Sequence, residues 1–261
     1  MTPRVSIVIP AYNEGPEIAD VLDRIIEAVT LSHEVLVVYD SPHDQTASHI
    51  ANYARNHRGV AGLVNGYGRG PANAIRYGID KATAPVVVVT MADGSDDPQQ
   101  VDMLTRLVER GVAVACASRY MRGGQQVGGT RVKGTISRLA GVSLQWLTRV
   151  GTHDATNSFK AYSRRFIQEV GIESDAGFEI GIELVAKARR CGLPVAEIPT
   201  IWLDRASGTS NFKVAEWIPR YLRWYLYAFR KRPKAIPRPI SPSTRLERPR
   251  EAARHDNSSA R

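Results

Sequence analysis

Three carboxylates lie close together at Asp93, Asp96 and Asp97, in the stretch Asp-Gly-Ser-Asp-Asp-Pro that follows four successive valines, Val86 to Val89. Hard oxygen ligands grouped in this way suit Mg2+ or Mn2+ carrying a substrate's phosphates. The same residue types are those of an ordinary turn capping a helix, and that simpler reading stands beside the first. Three further polar groups follow apolar runs: Asn13 and Glu14, Asp40, and Ser118-Arg119-Tyr120. There is no Gly-x-Ser-x-Gly, no local Cys and His signature and no His-Glu-x-x-His, so acyl transfer and zinc hydrolysis have no support. No Gly-x-Gly-x-x-Gly follows a strand near the start, which weighs against a dinucleotide domain. Gly66-Tyr67-Gly68-Arg69-Gly70 matches a phosphate-cradling loop only weakly and reads equally well as a flexible turn.

The elements that would position these groups alternate. The four valines have no polar alternation, so they predict a strand covered on both faces, as in the centre of a parallel sheet. Similar strands are predicted at 5–9, 34–38, 60–64 and 112–117. Helical spacing joins Ile18, Val21, Leu22, Ile25 and Ile26, then Asp44 to Asn56, then Ala74, Ile75 and Ile79, then Gln99 to Arg110. This order implies an α/β fold with a doubly wound, mainly parallel sheet flanked by helices. Ligands of such sheets sit beyond the C-terminal strand ends, where all four polar groups fall.

Composition narrows the partners. The formal charge of +9 is uneven: residues 230–261 carry ten Lys or Arg against three Asp or Glu, which leaves +2 for residues 1–229. The basic part is also rich in proline and is expected to be a disordered tail, so no nucleic acid is expected as partner of the globular part. Cys116 and Cys191 show no metal-ligand spacing and imply a reducing compartment. No signal peptide is expected at the opening, and no apolar run approaches the ~18 to 20 residues that span a bilayer.

Taken in order, the motifs carry a resemblance. Val8-Ile9-Pro10-Ala11-Tyr12-Asn13-Glu14, Asp40, the glycine loop before Asn73-Ala74-Ile75-Arg76-Tyr77-Gly78, and Ala92-Asp93 are followed by Ser118-Arg119-Tyr120 with Gly123-Gly124. Then come Asp154-x-Thr156-x-Ser158-Phe159-Lys160, Gly177-Phe178-Glu179, Glu197-Ile198-Pro199, and Asp204-Arg205-x-x-Gly208-x-Ser210. The set, spanning about residues 4–213, resembles family 2 glycosyltransferases of the GT-A fold, and among them the polyprenyl-phosphate sugar transferases. The resemblance implies a nucleotide-sugar donor, a polyprenyl-phosphate (dolichyl-phosphate) acceptor and Mg2+ or Mn2+. It implies that Pro10, Tyr12, Glu14 and Asp40 hold base and ribose, with Gly70 among the substrate contacts. Asp93, with Asp96, would hold the metal. Asp154 and Ser158 would lie by the sugar, and His153 beside them is a candidate sugar contact or a surface residue. Glu179 and Glu183, at i and i+4, share a helix face that would flank the acceptor; a solvated face with Glu183 paired to Lys187 is the competing reading. Arg119, Arg131 or Lys133, and Arg205 would meet phosphates, for which the planar, permanently charged guanidinium is suited. Asp93, Arg119 and Arg205 are the expected catalytic residues.

The chain departs from the family's pattern where acid pairs are usual: Met91 precedes Asp93 by two, and Tyr39 precedes Asp40. Methionine is a poor ligand for a hard cation. These interruptions keep a second reading open, a degenerate GT-A domain acting as a non-catalytic binding protein through its basic tail. The organisation expected is a GT-A domain at 1–213, an amphipathic membrane-surface helix at 214–230 and the tail at 231–261. In that helix Val214, Trp217, Ile218, Tyr221, Leu222, Tyr225 and Phe229 make an apolar face opposite Glu216, Arg220, Arg223 and Arg230. Such a helix would hold the chain peripherally on an anionic membrane surface, at the cytoplasmic face; packing of the same face on the protein itself is the competing expectation.

Overall fold

The computed structural model of the chain describes residues 2–129, 131–204 and 214–230, without the side chains of 131–133 and 214–216. Seven strands form one sheet in the order β3-β2-β1-β4-β7-β5-β8. They are β1 (Val5–Ala11), β2 (His33–Tyr39), β3 (Val60–Val64), β4 (Val86–Val89), β5 (Val114–Ser118), β7 (Lys160–Ser163) and β8 (Val195–Pro199). A two-stranded ribbon pairs β6 (Gln125–Val127) with β9 (Ile201–Leu203). The helices are α1 (Ile18–Ala28), α2 (Gln45–Ala54), α3 (Pro71–Lys81), α4 (Val101–Glu109), α5 (Arg131–Thr148), α6 (Arg164–Val170), α7 (Ile180–Cys191) and α8 (Val214–Tyr227).

Alternation along β1 shows how the layers arise. Val5, Ile7 and Ile9 join the core beneath α1, α2 and α4, whereas Val8 joins the core that contains α3, α6 and α7. Every residue of β1 is buried, as the continuous apolar pattern predicts for a strand covered on both faces. The expected five strands are all present, and the sheet is mainly parallel. The exception is β7, which runs antiparallel to both β4 and β5.

That reversal matters for the site. β1, β2, β4 and β5 bring their C-terminal ends to one rim, with Val8 paired to Leu36 on one side and Val89 on the other. Because β7 is reversed, its N-terminal end reaches the same rim: Lys160 pairs with Val89 and with Cys116. The segment 154–159 therefore enters the sheet beside the ends of β4 and β5, although it precedes its strand.

The C-terminal helix differs from the expected one-sided amphipath. Trp224 and Ala228 are buried in the core, with Tyr221, Tyr225 and Tyr227 packed against it, while Ile218, Leu222, Leu226 and Phe229 are exposed. Two apolar faces explain why one stripe could not be read: the inner one docks on α7 and α5, and the outer one faces solvent. Glu183 also differs from a solvated helix face. It is fully buried and pairs with Lys187, one turn on, at 2.6 Å.

Candidate active site

A cavity of about 680 Å³ lies between the strand rim, α5 and α8. Its lining from the strand rim and the loops beyond it includes Met91, Asp93, Ser95, Arg119, Thr156 and Ser158. The helices add Ile136, Ser137 and Ala140 of α5, Ile182 of α7, and Trp217, Ile218, Tyr221 and Leu222 of α8. The cavity thus combines groups suited to anions and hydroxyls with apolar surface suited to hydrocarbon.

Asp93 sits at the end of β4 with Oδ1 accepting from the Ser95 N–H at 3.1 Å and the Ser95 hydroxyl at 2.6 Å. A divalent cation fits such a place, because Mg2+ is commonly held by one or two carboxylates plus substrate phosphates rather than by a full protein cage. No group of three His, Cys, Asp or Glu assembles a cage among the described residues. Met91 lines the cavity without an oxygen to offer. Asp96, expected as a second ligand, does not line this cavity. It is buried beneath the loop, where Oδ2 accepts from the Thr90 hydroxyl at 2.9 Å and the Met91 N–H at 3.2 Å. Burial pushes its carboxyl up to about 6, against the pull of Thr90.

Arg119 follows β5 and lines the cavity, but its guanidinium is committed. Nε donates to Asp154 Oδ2 at 2.7 Å and Nη2 to Oδ1 at 2.9 Å, a bidentate pair in which Asp154 is fully buried. Nη2 also reaches Ser137 Oγ at 3.2 Å, and Ser137 meets Thr156 at 2.6 Å. Burial would raise the Asp154 carboxyl; the charge and hydrogen bonds of Arg119, with Lys160, turn the shift downward. Asp154 therefore anchors Arg119 and stands behind the cavity wall rather than on it. Beneath the same loop, buried Lys160 donates to the Asn157 carbonyl and so shapes the 156–158 segment that lines the cavity.

The ends of β1 and β2 form a second cluster on the rim. Asp40 Oδ1 accepts from Asn65 Nδ2 and Oδ2 from the Gly70 N–H, both at 2.9 Å. Gly70 has φ 110°, and a Cβ there would lie 3.0 Å from the Ala176 carbonyl, so both conformation and space call for glycine. Pro10 is buried in β1 and Tyr12 is exposed beyond it. The Glu14 N–H donates to Thr46 Oγ1 at 2.9 Å, and the Asn13 N–H donates to Asp44, which caps α2. Tyr39 is buried, with its hydroxyl against Gly62 of the neighbouring strand β3.

The structure brings Asp93, Arg119 and Ser158 to one cavity, and sets Asp40, Gly70, Tyr12 and Glu14 along the adjoining strand ends. Glu179 lies at the start of α7, buried. The side chains of Arg131 and Lys133, and all of Arg205, lie outside the described residues. Sequence reasoning missed Asn65 and Ser137, isolated polar residues whose roles depend on contacts across 18 or more positions, such as Asn65 with Asp40 and Ser137 with Thr156. His153, once a candidate sugar contact, is engaged by Glu197 at 2.6 Å.

Polyprenol monophosphomannose synthase of Mycolicibacterium smegmatis is 30% identical over 237 residues, covering 83% of this chain and 87% of the relative. Undecaprenyl-phosphate mannosyltransferase of Micrococcus luteus is 26% identical, covering 86% and 95%. Among solved structures, glucosyl-3-phosphoglycerate synthase from Mycobacterium tuberculosis, in complex with Mn2+, UDP and glucosyl-3-phosphoglycerate, shares the fold at a TM-score of 0.64 and 18% identity, covering 87% of this chain and 80% of that one. A mannosyltransferase from Pyrobaculum calidifontis with GDP-Man and Mn2+ aligns at 0.61 and 21% identity, covering 93% and 68%. The profile of glycosyl transferase family 2 matches residues 6–171, and the chain belongs to that family.

Proposed function

We propose that this glycosyltransferase moves a sugar from a nucleotide-sugar donor to a polyprenyl phosphate, at the cytoplasmic face of a membrane. The observation that carries the reading is the mixed lining of one cavity: Asp93 and Arg119 together with the apolar side chains of α5 and α8. A phosphate joined to a long hydrocarbon has this same combination. The names of the relatives from Mycolicibacterium smegmatis and Micrococcus luteus favour mannose as the sugar and a polyprenol as the carrier.

Asp93 is the residue proposed to hold Mg2+ or Mn2+, which supplies positive charge to the diphosphate that the sugar leaves behind. Asp40, through the glycine loop it closes, organises the nucleoside end. Arg119 lines the acceptor end, held in place by Asp154, and Arg131, Lys133 and Arg205 are proposed as further phosphate contacts. A lipid phosphate is already an anion, so transfer to it calls for no strong general base. In this reading residues 1–213 form the catalytic unit, 214–230 the membrane-facing helix, and 231–261 a basic extension toward anionic lipid. A degenerate domain that binds through its tail has less support, since the relatives are named as transferases and Asp93 keeps its place in the cavity.

The test incubates the purified full chain with a panel of nucleotide sugars and polyprenyl phosphate, with Mn2+ or with excess chelator. A sugar-phospholipid product that forms with metal and not with chelator is expected. Absence of product across the panel, or full turnover in chelator, would reject the reading.

A further inference from the structure

The turn that follows β1 is held by the start of α2. The Asn13 N–H donates to both carboxylate oxygens of Asp44, at 3.1 Å each. Gln45 Nε2 donates to the Asn13 carbonyl at 2.6 Å, and the Glu14 N–H donates to Thr46 Oγ1 at 2.9 Å. Three consecutive side chains, 31 or 32 positions further along, thus take up three backbone groups of two residues. Asn13 itself has φ 51°, in the left-handed region that asparagine enters more readily than most residues.

Neither the formation of α2 nor burial calls for this arrangement. Asp44 caps the helix through the Thr46 N–H at 2.9 Å, for which Oδ1 alone is enough. Tyr12 and Asn13 are exposed, so water would serve the Asn13 backbone groups as well. The place of the turn supplies a reason. β1 lies between β2 and β4, so its C-terminal end is where the strand order reverses, and doubly wound sheets bind their ligands there. Ala11 pairs with Tyr39, which brings the Tyr12 and Asp40 turns side by side. On the other flank Val8 pairs with Val89, which puts the 12–14 turn on the same rim as Asp93.

We propose that Asp44 and Gln45 are positioning residues for the donor: with Thr46 they hold the 12–14 turn in its binding shape before the nucleoside diphosphate arrives. The inference rests on the transferase reading above and names what presets its nucleoside end. A loop already held in the bound conformation loses less freedom on binding. A site that is competent only part of the time binds more weakly in proportion to that fraction. A left-handed residue in an exposed turn persists because its surroundings hold it there, and cutting those ties lets the turn relax into other shapes.

The test compares the wild-type full chain with Asp44→Ser, Gln45→Met, the two combined, and Asp44→Asn. Serine caps a helix about as well as aspartate but is too short to reach back to Asn13, and methionine keeps the helix propensity of glutamine without its amide. Asparagine keeps an acceptor oxygen in the place of Oδ1, which serves both the Asn13 and the Thr46 N–H groups. GDP and UDP are titrated into each chain with Mn2+. For whichever diphosphate the wild type prefers, Asp44→Ser is expected to weaken binding about tenfold, Gln45→Met less and the double variant most. Asp44→Asn should recover most of the affinity. In turnover with polyprenyl phosphate, the KM for nucleotide sugar should rise while that for the lipid stays within about twofold, at a nearly unchanged Tm. Unaltered diphosphate affinity in the double variant overturns the inference. A rise in both KM values together with a lowered Tm also overturns it, because that marks a merely structural role. Both of these outcomes leave the donor reading standing, whereas a wild-type chain that binds neither diphosphate overturns that reading and this inference together.

Discussion

Two buried carboxylates on the rim answer acid in opposite senses. Asp96 has a carboxyl pushed up to about 6 by burial, above the ~3.9 of an unfolded chain. The folded state then holds the proton more tightly, so this contribution to stability is complete below about pH 4 and is lost as pH rises toward 6. Asp96→Asn should raise stability by about 1–3 kcal/mol at pH 7 and change it little at pH 4, as read from denaturant midpoints without divalent cation. A wild type equally stable at both pH values would contradict this. Asp154 is shifted the other way, its carboxyl held down mainly by Arg119 against the effect of burial. Its contribution is present above the ordinary carboxylate range and lost only as pH falls through the depressed value. Removing Arg119 leaves that fully buried charge unpaired, so Arg119→Ala is expected to cost roughly 3–5 kcal/mol in unfolding experiments. A stability change below ~1 kcal/mol would show that the pair is not what fixes the loop. Asp93→Asn should instead lower the transfer rate by about 10²–10³ with little effect on stability, the usual result of removing one electrostatic group at a reacting centre.

At the scale of elements, the readable strands are those whose burial comes from their own residues. The valines of β4 and the β-branched run of β1 announce themselves, and with them the acids and loops that follow. β7 has only Lys-Ala-Tyr-Ser, and nothing in four such residues specifies that it inserts antiparallel between β4 and β5. Yet that insertion brings Asp154 to Arg119, so the partners were visible as motifs while their contact was not. Glu183 misled in a related way: its spacing to Lys187 is that of a surface pair, and only the packing of α8 over α7 buries it. The join between these helices is written at Gly177, where an added Cβ would come within 1.9 Å of the Trp217 ring. Gly177→Ala is therefore expected to displace that ring from the cavity wall at a cost of about 1–3 kcal/mol. A lowered Tm together with altered tryptophan emission would bear this out; unchanged values of both would show that α8 does not depend on this contact.

For the whole molecule, the question is how a sheet-and-helix body reaches a lipid. No helix among the described residues is long and apolar enough to cross a membrane. The outer face of α8 nevertheless presents Ile218, Leu222, Leu226 and Phe229, and α5 presents Leu139, Trp146, which is 79% exposed, and Leu147. Both helices line the active-site cavity, and the Ser143 hydroxyl meets the Tyr225 hydroxyl between them at 3.0 Å. Apolar side chains around the mouth of a half-apolar cavity suit insertion at the headgroup boundary, where a lipid tail could pass from bilayer to cavity without crossing water. Arg220 and Arg223 stand on the same helix, exposed, and residues 230–261 carry a net +7. Each basic residue near an anionic leaflet contributes about 1 kcal/mol, screened by salt, whereas the apolar contribution is not screened. The full chain should therefore float with anionic vesicles at low salt, less completely at ~0.5 M salt. Replacing Leu222 and Leu226 together by Glu should abolish flotation at high salt while leaving nucleotide binding intact. Wild-type protein that stays at the bottom of the gradient with anionic vesicles at low salt would mean that these two helices meet something other than a bilayer, and that the acceptor is delivered to the cavity by another route.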